Sequence, residues 1–481
     1  MSHRRIPRPP VPVAIDGLDA NGIGTGLDDR GRRWTIRGAV PGSHVLAGGK
    51  PGAGVLLDLV QPPPDAIPAP CPQFGICGGC LYQSLPRETQ HAAKLAALNT
   101  LLAPLDAESG RIRFVEGDGY GYRNRMELSF GVDRYLTRAD QVREQAGEPI
   151  DRSGRFLGLH GPGRFDRIVD APSCAIASPA INAVLARVRA DVLESPFPAY
   201  APRVHQGFWR HLGLREGTAG VLVLVYTTTG SESEADWLRT HAPRWGAATV
   251  LWYTTEKLSD AAIGDLKEVL VGTQSLPVSL GDVALTLSPL AFFQVNAKGA
   301  EVMLALLREA LGSGDLLLDL YCGVGALGLA LHADFVRIAG IDQVEEGIRE
   351  AKANAAAHGV SADYRAGRAE IELPRLLQDH GVLSGVRSGR LAVLVDPPRN
   401  GLHPDALKPL LTLDADVLVY VACKPSSLAR DGAQLLAAGW TCTGWTAIDL
   451  FPHTAHVEVV ARFVRRPATL APEPPCPQPA D

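Results

Sequence analysis

Nowhere in the 481-residue chain do about eighteen apolar residues run together, so no stretch reads as a membrane-crossing helix. The opening MSHRRIPRPPVP also lacks an apolar signal core, and the expected location is the cytoplasm, with no membrane partner. Cysteine is scarce, eight residues in all, which argues against a disulfide scaffold. Excess positive charge is lacking as well: a net charge of −5 speaks against wholesale coating of nucleic acid. The charge is uneven, however. Residues 1–50 carry eight Lys/Arg (Arg4, Arg5, Arg8, Arg30, Arg32, Arg33, Arg37, Lys50) against four Asp, a local +4 that suits either a phosphate backbone or a solvated tail.

What is present is a chain long enough for two to four domains, with 46% apolar and 21% charged residues. Residues 1–10 and 467–481 are proline-rich and expected to be disordered tails; Cys476 in the second needs no role. Over 11–62, short apolar stretches (VPVAIDGL, RRWTIRGAV, SHVLAG, GVLLDLV) alternate with Gly- and Asp-rich turns, the pattern of a small all-β barrel. A proline-rich linker opens 63–283, which mixes a helix at 87–103 and another at 178–193 with strand-like NRMELSFGV, GVLVLVYTTTG and ATVLWYTT, an α+β domain. Over 284–466, DLLLDLY, FVRIAGID, LAVLVDPP and DVLVYVAC alternate with helices, which predicts a doubly wound, Rossmann-like α/β sheet.

The loop after DLLLDLY has Gly323, Gly325 and Gly328 in G-x-G-x-x-G order, and Asp342 ends the next strand. Small residues let a nucleotide approach the backbone, and the carboxylate accepts from ribose hydroxyls, so this is a candidate cofactor site common to NAD, FAD and S-adenosylmethionine. Asp396-Pro397-Pro398 follows the fourth strand, where two prolines stiffen the loop that holds the carboxylate. Acidic-Pro-Pro at this strand points to base methylation rather than to dehydrogenation. One strand on stands Cys423, then Glu458 in FPHTAHVE.

In order, FFQVN (292–296), DLYCGVG (319–325), DPPRNG (396–401), CKPSSLARD (423–431) and FPHTAHVE (451–458) resemble the RNA (uracil-5-)-methyltransferases, the RNA 5-methyluridine family. The resemblance implies a class I methyltransferase domain, S-adenosylmethionine as cofactor, and cofactor or substrate contacts at Gln294, Tyr321, Asp342 and Asp396. It also implies Cys423 as nucleophile and Glu458 as base. Ala326 stands where the family often has Asn, which removes one polar contact; a further contact falls within 366–372, with Glu370 the candidate. The chemistry asks for such residues. Carbon 5 of uracil becomes nucleophilic only when a thiolate adds to carbon 6, and a base must then remove the carbon-5 proton. Lys424 is expected to lower the Cys423 pKa, burial to raise that of Glu458, and His453 and His456 to be structural hydrogen-bond partners.

Upstream, CPQFGICGGCLYQ with APSCAIASPAIN resembles the family branch carrying a four-cysteine [4Fe–4S] cluster, and DGLDANGIG with GAVPGSHV its OB-like TRAM barrel. Cys71, Cys77, Cys80 and Cys174 are four soft ligands; spacing alone leaves zinc and iron–sulfur even, and the resemblance favours the cluster in a structural role. The expected substrate is RNA, ribosomal ahead of transfer RNA, and the expected state is a monomer. Three other functions stay open: an amino-directed methyltransferase using Asp396, a non-catalytic iron–sulfur RNA-binding module, and a nicotinamide oxidoreductase.

Overall fold

The computed structural model describes residues 9–19, 21–105, 119–259, 261–382 and 389–465, and the main chain alone at 111–113. Apart from Pro9 and Pro10, the expected tails lie outside the described residues, Arg4, Arg5, Arg8 and Cys476 among them. The chain forms two compact units. The first comprises residues up to Ala97, Phe114–Val302 and Asp449–Val457; the second comprises Leu98–Arg113, Met303–Ile448 and the residues from Glu458 onward.

The first unit begins with β1 (Val11–Leu18), β2 (Gly24–Asp28), β3 (Arg33–Arg37), β4 (His44–Lys50) and β5 (Ala53–Gln61), closed into a barrel in the order β1-β2-β3-β5-β4. Alternate residues point inward, so Val13, Ile15, Trp34, Ile36, Val45 and Ala47 fill the interior, and closure leaves no free edge. This is the small β-barrel expected at the N-terminus. Helix α1 (Arg87–Leu102) follows, then the three-residue strand β6 (Arg111–Arg113).

A seven-stranded sheet comes next. It is built from β7 (Arg125–Asp133), β8 (Ser153–His160), β9 (Ile168–Asp170), β10 (Trp209–Gly217), β11 (Gly220–Thr227), β12 (Thr249–Thr254) and β13 (Asp265–Val271), in the order β13-β12-β11-β10-β7-β8-β9. The pairs are antiparallel except β11 with β12. Helices α2 (Arg138–Gln145), α3 (Pro179–Glu194) and α4 (Glu232–His241) lie between them in sequence. Ser178 starts α3 by accepting from the Ile181 N–H, with Pro179 at the first helical position, where its missing N–H costs nothing. Ile181, Val184, Leu185 and Val188 of α3, spaced three and four apart, pack with Met126, Leu128, Phe130, Leu212 and Leu214 in one core. The hairpin of β14 (Leu276–Leu280) and β15 (Val283–Leu287) leads to α5 (Ala297–Leu311).

The second unit is a doubly wound sheet. In chain order it holds β16 (Gly314–Leu320), α6 (Ala326–Ala330), β17 (Phe335–Asp342), α7 (Glu345–Ala357), β18 (Ala362–Ala366), α8 (Ala369–Asp379), β19 (Leu391–Val395), α9 (Pro404–Thr412), β20 (Val417–Ala422), α10 (Pro425–Ala437), β21 (Trp440–Ile448) and β22 (Glu458–Arg465). The strand order is β18-β17-β16-β19-β20-β22-β21-β6. The five strands from β18 to β20 are parallel, β22 runs antiparallel to both neighbours, and β6 pairs parallel with β21. Both β19 (LAVLV) and β20 (VLVYVA) are buried at every position, as strands covered on two faces must be. From β16 the chain moves outward to β17 and β18, then returns to β19 on the other side. That reversal opens a crevice past the strands' carboxyl ends, where open α/β sheets bind ligands.

Candidate active site

Each parallel strand beside the crevice delivers one expected site segment to the same edge of the sheet. After β16 the chain turns through Tyr321, Gly323 and Gly325, all with left-handed backbone (φ of +64°, +55° and +73°), before α6 begins at Ala326. A Cβ at Gly325 would stand 2.8 Å from the Tyr364 ring, whereas one at Gly323 would meet nothing within 4 Å. The first glycine of the motif therefore borders open space that a ligand can enter, and the second is required by packing. Asp342, the last residue of β17, accepts from the Gly323 N–H at 2.9 Å and from the Val344 N–H at 2.8 Å. The glycine loop and the acidic residue are thus one hydrogen-bonded unit.

Burial pushes the Tyr321 hydroxyl pKa up, against a backbone hydrogen bond from His403, and the charge of Glu370 adds to the rise. Glu370, the candidate within 366–372, is therefore within electrostatic reach of the glycine loop. Asp319, one residue before the end of β16, accepts from the Gly328 N–H at 3.1 Å; burial, with the charge of Asp396 behind it, lifts its pKa to about 8.

Asp396 follows β19, Cys423 follows β20 and Glu458 opens β22, so consecutive sheet positions carry the acid, the thiol and the second carboxylate. Burial raises Asp396 to about 7. Glu458 is 3% exposed; burial, reinforced by the Asp396 charge, holds its pKa far above the ordinary carboxylate range. The Cys423 thiol is lifted to about 11, first by burial, then by the charges of Glu458 and Asp396. The cation opposing that rise is Arg399 of DPPRNG. This corrects the expected role of Lys424, whose side chain is exposed at the N-cap of α10.

The DPPRNG loop is tied down by residues that sequence reasoning passed over. Asp431, 1% exposed, accepts from the Leu402 N–H (2.9 Å), the Tyr420 hydroxyl (2.8 Å) and Arg430 Nε (2.8 Å), while Arg430 donates to the Asn400 carbonyl at 2.8 Å. The end of CKPSSLARD thus clamps the loop after Asp396 to the helix that starts beside Cys423.

The tRNA (uracil-5-)-methyltransferase family matches residues 268–466. An uncharacterised RNA methyltransferase of Caldanaerobacter subterraneus is 32% identical over 94% of this chain and 97% of its own. The chain belongs to the RNA (uracil-5-)-methyltransferase family. It is an S-adenosylmethionine-dependent RNA methyltransferase. A second relative, an uncharacterised RNA methyltransferase of Chlorobaculum tepidum, is 31% identical over 85% of each chain. Among solved structures, the Pyrococcus abyssi tRNA (uracil-54, C5)-methyltransferase in complex with S-adenosyl-L-homocysteine aligns at a TM-score of 0.72. It is 24% identical, over 95% of this chain and all of that one, a likeness of fold.

In the methyltransferase's first unit, Gln294 stands between β15 and α5, its carbonyl accepting from Asn124 Nδ2 at 3.0 Å. The neighbouring Asn296 is buried and donates to the Leu450 carbonyl at 2.9 Å. Cys71, Cys77, Cys80 and Cys174 are unoxidised and share one neighbourhood. Burial lifts Cys80 to about 12, Gln83 opposes, and Cys174, Cys77 and Cys71 each add to the rise. Cys174 is raised by burial while the N–H groups of Ile176 and Ala177 point at its sulfur. Among the described residues, no three or more His, Cys, Asp or Glu side chains are grouped as ligands of a single metal ion.

The same unit holds a buried ion cluster. Asp449 accepts from Lys94 Nζ at 2.8 Å and Arg87 at 3.0 Å, and lies 2.7 Å from His91 Nε2. Although burial works against its charge, these partners, Lys94 foremost, hold the Asp449 carboxyl well below the usual range. None of the four was singled out from sequence. The signal was there: Arg87, Gln90, His91 and Lys94 recur at helical spacing, a polar stripe on a helix read for its apolar one.

Proposed function

We propose that the enzyme methylates carbon 5 of a uridine in RNA through a covalent adduct between Cys423 and carbon 6. The observation that carries this reading is a thiol and a buried carboxylate at one edge of one sheet, close enough for Glu458 to raise the pKa of Cys423. The amino-directed alternative needs Asp396 alone and leaves this pairing without a purpose. Cys423 gives up its proton to solvent as sulfur bonds to carbon 6, with Arg399 as the cation that favours the thiolate. The electron pair of the 5,6 double bond passes onto carbon 5 and the 4-oxygen. S-adenosylmethionine, when bound, supplies the methyl group that carbon 5 takes. Glu458 then accepts the carbon-5 proton, and the electrons of that C–H bond restore the double bond as the Cys423 sulfur leaves. Burial, reinforced by the charge of Asp396, raises the Glu458 pKa, which makes an ionised Glu458 a strong base.

Tyr321, Gly323, Gly325, Asp342 and Asp396 would hold the cofactor. The open space over Gly323 and the carboxylate of Asp342 fit a nucleoside with free ribose hydroxyls. The four cysteines would hold a [4Fe–4S] cluster. Four soft donors that influence one another, N–H groups aimed at Cys174 and free space at Gly75 and Gly78 support a bulky cluster. The barrel and this cluster support ribosomal RNA as substrate; the fold likeness to a tRNA enzyme makes transfer RNA the competitor.

The test uses unmodified ribosomal and transfer RNA transcripts, with and without 5-fluorouridine. On fluorinated RNA the wild type forms a stable protein–RNA adduct and Cys423→Ala forms none. On ordinary RNA, Glu458→Gln accumulates an adduct that the wild type resolves. No adduct on a transcript that the wild type methylates would refute the carbon-5 mechanism.

A further inference from the structure

We propose that the ion cluster about Asp449, together with Gln90, is a positioning device for the catalytic base; the inference rests on the reading of Glu458 as that base. Nine residues, Asp449–Val457, separate β21 from β22, and Glu458 is the next residue. Such a connection would ordinarily be a surface loop with latitude in its path. Here it is fixed at its start, middle and end, chiefly by one face of α1.

At the start, Asp449 is fully buried and engaged by Arg87, His91 and Lys94. In the middle, Gln90 reads His453 twice: its Nε2 lies 3.1 Å from His453 Nδ1 and its Oε1 accepts the His453 N–H at 3.1 Å. The Leu81 and Tyr82 N–H groups donate to the His453 carbonyl at 2.8 and 3.0 Å, and the Tyr120 ring stacks on the imidazole at 4.2 Å. His453 itself is held at φ +63°, a backbone state that non-glycine residues keep only when their surroundings impose it. Near the end, Lys94 Nζ donates to the His456 carbonyl at 3.2 Å, so one ammonium bridges the first residue of the loop and its eighth.

Burying a lysine, an arginine and a histidine around one carboxylate is a costly way to stabilise a fold, since well-packed apolar residues do as well or better. What charge and directional hydrogen bonds add is a defined path. For a base that must meet a single C–H bond, a displacement of about 1 Å costs up to about 100-fold in rate. Asp449, Lys94 and Gln90 are therefore positioning residues; none touches the reacting atoms.

The position matters only after methyl transfer, and the experiment exploits that order. Full-length wild type, Asp449→Asn and Glu458→Gln are compared on whichever unmodified transcript the wild type methylates, and on its 5-fluorouridine counterpart. Asp449→Asn is expected to lose about 10- to 100-fold in turnover and to accumulate the covalent adduct on ordinary RNA, while forming the fluorinated adduct within about twofold of the wild-type rate. Asp449→Glu should recover part of the turnover. Wild-type turnover in Asp449→Asn, or parallel loss of the fluorinated adduct, would overturn the proposal, because a general scaffold fails at every step. Should Asp449→Asn melt below the assay temperature, Gln90→Ala carries the same test with no buried charge left behind. If Glu458→Gln accumulates no adduct, it is the assignment of the base that fails. If it does and the Asp449 and Gln90 variants do not, the positioning role alone fails.

Discussion

Asp396 and Glu458 are carboxylates taken out of water at one edge of the sheet, and the charge of Asp396 raises the cost of ionising Glu458. A protein bears that cost where a proton must be handled, and it leaves a trace in stability. The Asp396 pKa is about 7 in the fold against 3.8 for the free side chain, so folding retains a proton that the unfolded chain releases. Stability from this group is fully present below about pH 4 and is lost as pH rises through about 7. Asp396→Asn removes the titration. Its advantage over the wild type should be small at pH 4, grow across that window and level off above it at a few kcal/mol. Urea unfolding at pH 4, 6 and 8 checks this, and a pH-independent difference would contradict it. The same variant should be inactive, stability gained where function is given up. The Cys423 pKa of about 11 has a second consequence, because the thiolate is a minority species at neutral pH. Adduct formation on fluorinated RNA should accelerate about tenfold per unit between pH 7 and 9, as the thiolate fraction does. A flat profile would mean that bound RNA itself resets the thiol.

At the level of elements, the site is a set of strand ends joined by loops that other elements hold in place. The DPPRNG loop shows this best. Gly401 has φ +76°, and a Cβ there would lie 2.5 Å from Arg430 and Asp431 and 2.9 Å from Ser427. Gly401→Ala must break either the turn or the Asp431 clamp. It should cost about 1–3 kcal/mol in chemical denaturation and slow adduct formation, because Asp396 and Arg399 ride on that loop. An alanine variant as stable and as fast as the wild type would show that α10 does not constrain the loop. Much of this was legible in sequence. LAVLV and DVLVYVAC could only be doubly covered strands, and the acid and the thiol each followed one of them. What stayed hidden were the fastenings: Asp431 behind the proline loop, the stripe of Arg87, Gln90, His91 and Lys94, and Arg399 in place of Lys424 as the cation near the thiol. Each depends on which side chains meet across distant segments, and local periodicity is silent about that. The strand β6 is the extreme case. Three residues, Arg111–Arg113, join the far edge of the catalytic sheet beside β21, and no pattern of that length could announce it.

Over the whole molecule, the most distant fastening proposed is the four-cysteine site. It gathers one compact segment, Cys71–Cys80, and a single residue, Cys174, from either side of α1 and the first strands of the central sheet. Arg37 of the barrel donates to the Gly78 carbonyl at 3.4 Å within that segment, and Leu81 and Tyr82 just beyond it hold His453. Closing so long a loop costs chain entropy, and a ligated cluster offsets that cost by linking its ends only in the folded state. Buried thiols with raised pKa values gain the most from ligation, since a metal takes the thiolate and removes the penalty of an unpaired buried charge. Protein purified without oxygen should therefore be brown, absorb near ~400 nm and carry about four irons per chain. Cys80→Ser should lose both colour and iron and unfold at lower temperature. A colourless protein with one zinc per chain would replace the cluster with a tetrahedral site. Iron retained in Cys80→Ser would remove Cys80 from the ligand set.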